Sequence, residues 1–491
     1  MIALAGGKLC QTDPRAGDKV AWKKSVYTVH GWLGLNFGLA LFVICLSGTL
    51  AVVSHEIDWL LTPQLRVTPQ ESRASYGEMH RAVEEAYPDA PVRSAWAPIG
   101  PRFACEFWVS GPGGGNRRVY VDPYTATVQG EGSWFNTQRF FRDFHRRFFW
   151  SAWWGIWLVA FFGLPLFAAS ATGLAFYKRW WAKLLTLRLS QGGRLMWSDL
   201  HRLVGVWTLL FSLLISVTGL WYFVEIPLAW NVKPERLPRL PQSSIPPPDS
   251  PPQRLPVDDW VRAAQEAIPE LEVGTIWFPG GRAAAVRIDG QATAWLVRDR
   301  ANMVLVDPYT GHSLTHQRAE QLSPYRRWIE TADPLHFGDF GGLPSKLVWF
   351  GLGLLLSMLM PTGAYLWTRR AHQIAISTEK RLQRESGVLR AAECNRLLGA
   401  ATRRQTALGM VSTTAILLLA SYATYGALAK QAAATDSSHS ALWHLGGAGA
   451  IAVYGGFSLV ILIATAFWYR CIWFAKYRVI ASPQSQAAKH P

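Results

Sequence analysis

Thr28-Val29-His30-Gly31-Trp32-Leu33-Gly34 opens an apolar run that continues through Leu35–Val53. An altered copy, Asp199-Leu200-His201-Arg202-Leu203-Val204-Gly205, opens another through Val206–Val224. The first run carries Ser47-Gly48-Thr49 and the second Thr218-Gly219-Leu220, and in both the glycine follows the histidine by 18 residues. That spacing is five whole helical turns, so each histidine shares a helix face with its glycine, ~27 Å away along the axis. Two histidines at corresponding ends of duplicated membrane helices imply a ligand held between them.

The rest of the composition agrees with a membrane chain. Half of the 491 residues are hydrophobic, with 25 Trp and 23 Phe, and the apolar content is gathered in blocks. Runs of about 20 apolar residues read as spans, and six are expected, over 28–54, 149–177, 202–225, 345–367, 407–428 and 441–468. The net charge of +16 does not point to nucleic acid, because the cations cluster in short segments beside these runs. They occupy the N-terminal segment 1–27, the loops 178–201 and 368–406, and the tail 469–491. The positive-inside rule places these segments in the cytoplasm with both termini, and 55–143 and 226–343 outside. The first run is too long for a signal-peptide core and reads as retained. Of the five cysteines only Cys105 then lies outside, so no structural disulfide is expected, and without C-x-x-C-H no haem is covalently attached.

The chain reads as a duplication. Tyr76–Tyr87 has helical spacing, and strand-like runs follow at Phe103–Val109 and Arg118–Val121, ending in Asp122-Pro123-Tyr124-Thr125. A Pro/Ser-rich spacer, Pro234–Pro256, precedes the second module, where a helix is expected over Asp258–Ile268. Strands are expected near Gly274–Trp277, Ala284–Ile288, Ala294–Val297 and Val304–Val306, running into Asp307-Pro308-Tyr309-Thr310. Phe144-His145-Arg146-Arg147 precedes the second helix and Leu335-His336-Phe337-Gly338 the fourth; these helices carry Ala171-Thr172-Gly173 and Pro361-Thr362-Gly363 near their ends. Residues 20–190 and 191–370 are thus two copies of helix, outside domain, helix, and 405–478 is an appended helical pair.

The Asp-Pro-Tyr-Thr turns, the His-Arg before the second helix, Pro334-Leu335-His336-Phe337-Gly338 with Phe340-Gly341-Gly342, and the Thr-Gly…Trp…Arg-Arg ending of the fourth helix resemble the PepSY-associated transmembrane family. The resemblance covers roughly residues 20–370. It implies two periplasmic α+β PepSY-like domains in a mainly α membrane protein of the bacterial inner membrane. It also implies similarity to iron-regulated, haem-carrying siderophore-iron reductases. One departure is Thr125-Ala126, where the second copy has Thr310-Gly311; it touches turn geometry in the first domain.

A histidine at the lip of a membrane helix is costly without a partner. Two neutral imidazoles can take both axial positions of a haem iron, leaving no open site, which suits electron transfer. His30 with His201 and His145 with His336 are therefore the expected ligands of two haem b groups. Gly34 and Gly205 give a flat ring access to the backbone, with Gly38 continuing the first row. Arg146 and Arg147 offer guanidinium forks to propionates. His145 is expected slightly above the apolar layer. His55 and His444 are reserve ligands for the outer pair, and His312 and His316 lie in an outside loop. The bland reading makes all of these interfacial histidines and packing glycines.

No dinucleotide fingerprint, P-loop or flavin-type domain is present, so the donor is external, a membrane quinol or a cytoplasmic reductase. The sequence thus describes a dihaem protein passing electrons outward to ferric iron, with a ferric siderophore as partner beside the lipid bilayer. Its rivals are a membrane-anchored PepSY binding or sensing module without redox activity, and a siderophore or iron transporter.

Overall fold

The computed structural model describes residues 14–111, 115–150, 152–177, 180–189, 192–231, 238–247, 253–386, 391–433 and 440–472. Cys10, the tail beyond 472, and the spacer stretches 232–237 and 248–252 lie outside the described residues. The duplicated order is visible in the elements. Helix α1 (Pro14–Val52) breaks at Val53 into α2 (Ser54–Leu61); α3 (Tyr76–Ala86) and four strands follow, then α4 (Thr137–Arg147), α5 (Ala152–Phe161) and α6 (Gly163–Phe176). The second copy runs α7 (Gly193–Trp207), α8 (Leu209–Asn231), α9 (Val257–Ala267), four strands, α10 (Pro324–Phe337) and α11 (Gly342–Ser386). The appended part is α12 (Ala391–Ala433), α13 (Ala441–His444) and α14 (Gly447–Ile472).

Among the described residues five stretches are long and apolar enough to cross a membrane: Ser25–Val52, Trp153–Ala175, Gly342–Arg370, Thr406–Gln431 and Gly447–Ile472. The expected third span is a bent pair, α7 and the following Leu209–Glu225, at 59° to each other. The break falls at Thr208, whose Oγ1 donates to the Val204 carbonyl, a side-chain competitor that bends helices. The segment expected as an interior loop, 368–406, is largely helix, because α11 runs on to Ser386 and α12 starts at Ala391.

The eight strands are β1 (Val92–Trp96), β2 (Cys105–Ser110), β3 (Asn116–Val121), β4 (Val128–Gly132), β5 (Glu272–Trp277), β6 (Val286–Gln291), β7 (Asn302–Val306) and β8 (Ser313–Gln317). They do not form two separate sheets. One antiparallel sheet runs β4-β3-β2-β1-β5-β6-β7-β8, closed at its centre by Ser94↔Trp277, Ala95↔Ile276 and Trp96↔Thr275. Pairing β1 with β5 removes the exposed edge that each four-stranded module would otherwise present. Alternate residues Ala95, Phe107, Val119, Ile276, Ile288 and Val304 point to one face and bury against Met79 and Val83 of α3 and Trp260 and Ala264 of α9, as period-two strands require. Ser75 and Glu78 form a capping box at the start of α3. Asp258 of the second module accepts from Ser75 Oγ and the Gly77 amide of the first, a tie across the seam.

The Asp-Pro-Tyr-Thr stretches are matching turns: Asp122 Oδ1 accepts from the Tyr124 amide at 2.8 Å and Asp307 Oδ1 from that of Tyr309 at 2.9 Å. Ala126 keeps the turn despite replacing glycine, at φ 55° against 73° for Gly311. The strand expected at Ala294–Val297 is absent. Leu296 there has φ 59°, and Gln291 Nε2 closes the loop on the Val297 carbonyl. His316, expected in a loop, lies in β8 opposite Val304.

Candidate functional site

Two cavities lie along the bundle axis. The one toward the sheet has a volume of about 450 Å³ and the far one about 610 Å³, both within the ~300–1,000 Å³ of small-molecule and cofactor pockets. His145 and His336 line the first, and His30 and His201 the second. The four expected histidines are therefore gathered in the expected pairs. Leu41, Leu166 and Leu356 line both cavities, so one layer of leucine side chains forms their common wall.

The sheet-side histidines sit on short helices that precede the spans. α4 stops at Phe148 and Phe149, both left-handed at φ 50° and 58°, and α5 turns away so closely that a Cβ on Gly155 would lie 2.5 Å from the Arg147 carbonyl oxygen. α10 stops at Gly338, φ 70°, before α11 begins. His145, expected slightly above the apolar layer, lies beside Ile44 and Ser47 of α1, two residues of the apolar stretch Ser25–Val52.

Each imidazole is held by its Nδ1. His145 Nδ1–H donates to the Ile44 carbonyl at 2.9 Å, with Ser47 Oγ at 3.3 Å. His30 Nδ1–H donates to the Ala169 carbonyl at 2.9 Å, with Thr172 Oγ1 at 3.3 Å. His336 Nδ1 lies 2.8 Å from Thr218 Oγ1, and His201 Nδ1 2.9 Å from Thr362 Oγ1. Both threonine hydroxyls already donate to main-chain carbonyls, Leu214 and Met358, so they accept from the imidazoles. In all four rings Nε2 is thereby the basic nitrogen. A ligating histidine is typically oriented in just this way, by donating its other N–H to a carbonyl or similar group.

The four hydroxyl partners all come from one repeated dipeptide, Ser or Thr before Gly, at 47–48, 172–173, 218–219 and 362–363. Sequence reading noted the dipeptide as a marker of duplication and missed its role. At three of the four the glycine makes room for the ring: a Cβ on Gly48 would lie 2.7 Å from His145 Cε1, on Gly173 3.3 Å from His30 Cε1, and on Gly363 3.4 Å from His201 Cε1, whereas a Cβ on Gly219 meets nothing within 4 Å. The recurrence of Ser/Thr-Gly in all four repeat helices was the available signal.

Gly34 and Gly205 line the far cavity, and a Cβ on either meets nothing within 4 Å. They border open space, as expected. Gly38 differs, because a Cβ there would strike the Trp468 ring at 2.4 Å, so it also packs α1 against α14. Arg146 lines the sheet-side cavity together with Arg142, whereas Arg147 is paired with Asp143 at 3.0 Å. Neither His55 nor His444 lines either of these two cavities. His55 is half-buried in α2 near Lys346, and desolvation first, then that charge, pushes its pKa down to about 3. His444 ends α13, with its carbonyl accepting from Ser133 Oγ. The reserve ligands are thus displaced by the break at Val53 and by the position of α13.

The geometry can be set beside known proteins. A profile of the PepSY-associated TM region matches residues 27–370. The chain belongs to the PepSY-associated transmembrane family. A Pseudomonas aeruginosa relative, the uncharacterized protein PA4219, is 27% identical over 257 residues, which cover 47% of this chain and 63% of that protein. The family match ends within α11, before the appended helices, and it contains all four histidines and all four Ser/Thr-Gly dipeptides.

Among the described residues no group of three or more His, Cys, Asp or Glu side chains could hold a metal ion. Two imidazoles are too few for a bare ion, which takes about four or more ligands. They suffice for a metal whose equatorial positions are filled by its own macrocycle.

Proposed function

We propose that this PepSY-associated membrane protein carries two haem b groups per chain and passes electrons through the bilayer to ferric iron, delivered as a siderophore complex. The observation that carries the reading is the His145–His336 pair, whose ring centroids are 6.1 Å apart with planes 34° apart. An imidazole nitrogen bonds a metal at ~2.0–2.1 Å, and the ring centre lies roughly 1 Å beyond the nitrogen. Two imidazoles on opposite sides of one metal therefore have centroids about 6 Å apart.

Bound there, an iron porphyrin supplies a one-electron Fe(III)/Fe(II) couple. His145 and His336 would hold one group and His30 and His201 the other, each through the Nε2 that its Nδ1 hydrogen bond leaves basic. Arg142 and Arg146 offer cations to carboxylates at the sheet-side mouth, and Arg194, Arg202 and Arg370 do so at the far mouth. The leucine wall keeps water out and the two centres adjacent. The sheet stands over the end where Arg298 and Arg300 reach the cavity, which suits an acceptor on that side. In the bacterial inner membrane, with the sheet in the periplasm, a quinol or cytoplasmic reductase would supply electrons at the far end. Reduction favours release, because Fe(II) binds hard oxygen chelators more weakly than Fe(III).

The transport reading draws on the 59° break between α7 and α8, since broken helices mark transporter sites. It predicts a colourless protein. The visible spectrum of the detergent-purified full chain decides between them: a sharp reduced α-band with two haems per chain is expected, and a colourless protein overturns the proposal. His30→Ala or His201→Ala should remove one haem of the two, and His145→Ala or His336→Ala the other. Loss of the same haem by both pairs would refute the assignment.

A further inference from the structure

The sheet-side cavity is not symmetric. Three residues before His145 stands Arg142, and at the duplicated position, three before His336, stands Asp333. Each lies about one helical turn from its histidine, and both line the cavity. Asp333 is heavily compensated. Tyr222 Oη donates to its Oδ1, and Arg298 Nη1 to its Oδ2 at 2.6 Å. Arg298 also donates from Nε to Glu330 Oε2 at 2.8 Å and from Nη2 to the Ile329 carbonyl at 2.7 Å. Because Arg298 lies between β6 and β7, it ties the sheet to the helix that carries His336. The Tyr222 ring stands edge-on to His336, with centroids 5.5 Å apart and planes at 82°. The first repeat has Ala51 where the second has Tyr222, so the chain of contacts exists on one side only. The described lining of the far cavity contains no carboxylate.

We infer that Tyr222, Asp333 and Arg298 form a positioning and charge-compensating chain for His336 that sets the redox potential of the sheet-side centre independently of the far one. The inference rests on the haem reading above. Its physical basis is the field of a carboxylate about one turn from the ligand. An uncompensated negative charge favours the more positive, oxidised metal and lowers the potential; removing the charge raises it. Second-shell hydrogen bonds and burial are recognised means of tuning such couples, and low dielectric strengthens them. If the chain were only a clamp for α10, cutting it at either end would loosen His336 in the same way.

The two ideas differ in sign. In a redox titration of the full chain, Asp333→Asn should raise the sheet-side couple and Arg298→Gln should lower it. Each shift should be about tenfold in the oxidised-to-reduced ratio at fixed potential, or about 59 mV for a one-electron couple. Tyr222→Phe should lower it by less, Arg298→Lys should leave it near wild type because the charge is kept, and the far couple should not move. If Asp333→Asn and Arg298→Gln shift the couple in one direction, or leave it unmoved, the inference is overturned while the haem reading stands. A colourless wild-type protein overturns both.

Discussion

At the scale of single residues, the glycines separate two kinds of contact. Gly48 touches the protein's own imidazole, whereas Gly34 and Gly205 face open cavity. Gly48→Ala must push His145 off Ile44 and Ser47, so it should weaken one haem band whatever the fold tolerates. Gly34→Ala meets no protein atom, so it should leave the thermal midpoint within about 2–4 °C, the shift that 1 kcal/mol gives a domain of 150–250 residues, yet reduce haem per chain if a flat ring lies there. Full haem occupancy in Gly34→Ala would show that this wall is not the slot. The four histidines were legible in the sequence because duplication repeats each of them in the matching segment of the second copy, and repetition outweighs the ordinary fate of a lone histidine at a membrane edge. Their Ser/Thr partners were not, because no spacing within one helix says which neighbour it faces. Thr172 holds His30 across 142 residues of chain and Thr362 holds His201 across 161.

At the scale of elements, α4 is a helix that sequence reading did not separate, having assigned 55–143 to the outside domain and 149–177 to the span. Asp143, Arg146 and Arg147 mark it as amphipathic, but the left-handed Phe148 and Phe149 have no glycine to announce the break. What positions the helix is Asp58 of α2, whose Oδ1 accepts from the Thr137 amide at 2.8 Å and Oδ2 from that of Gln138 at 2.9 Å. A carboxylate there caps the helix and meets the positive end of its dipole. Burial nonetheless pushes its pKa up to about 6, against the lowering effect of those bonds. The folded state therefore binds more protons than the unfolded state between about pH 4 and 6, and stability falls as pH rises through that window. The gap from the ordinary 3.8 to about 6 corresponds to about 3 kcal/mol. Asp58→Asn should flatten the fall in thermal midpoint between pH 4 and 6.5. Asp58→Ala should cost about 1 kcal/mol of helix stability near pH 4, less as pH rises and the wild-type carboxyl ionises, and should broaden the sheet-side haem band, because α4 carries His145. An unchanged pH profile in Asp58→Asn would reject this account.

At the scale of the whole molecule, duplication predicts two modules, and two modules are present, but it does not predict that they share a sheet. β1 was invisible because Val92–Trp96 lacks the alternation of a half-buried strand. Its edge partner, β5, is distant in sequence, with pairings that span from 179 residues (Trp96 to Thr275) to 183 (Ser94 to Trp277), beyond the reach of any local signal. The seam has a functional consequence. Arg298 hangs from the second module and Trp134 and Asn136 lead from the first into α4, so a continuous sheet fixes the two sheet-side histidines relative to each other through their separate helices. Directly opposed antiparallel residues have Cα atoms ~4.5–5.5 Å apart, within the ~4.4–6.8 Å that a disulfide spans. Ala95 and Ile276 are such a pair, both on the face covered by α3 and α9. Ala95→Cys with Ile276→Cys should therefore oxidise to an intramolecular bridge that leaves the haem spectrum unchanged and raises the thermal midpoint, since the bridge closes a loop of about 180 residues and restricts the unfolded chain. Modules that move independently would give slow, incomplete oxidation, and the bridged fraction would then show a shifted sheet-side haem band. That outcome would mean the histidine pair is set by the bundle alone, with the sheet a passenger.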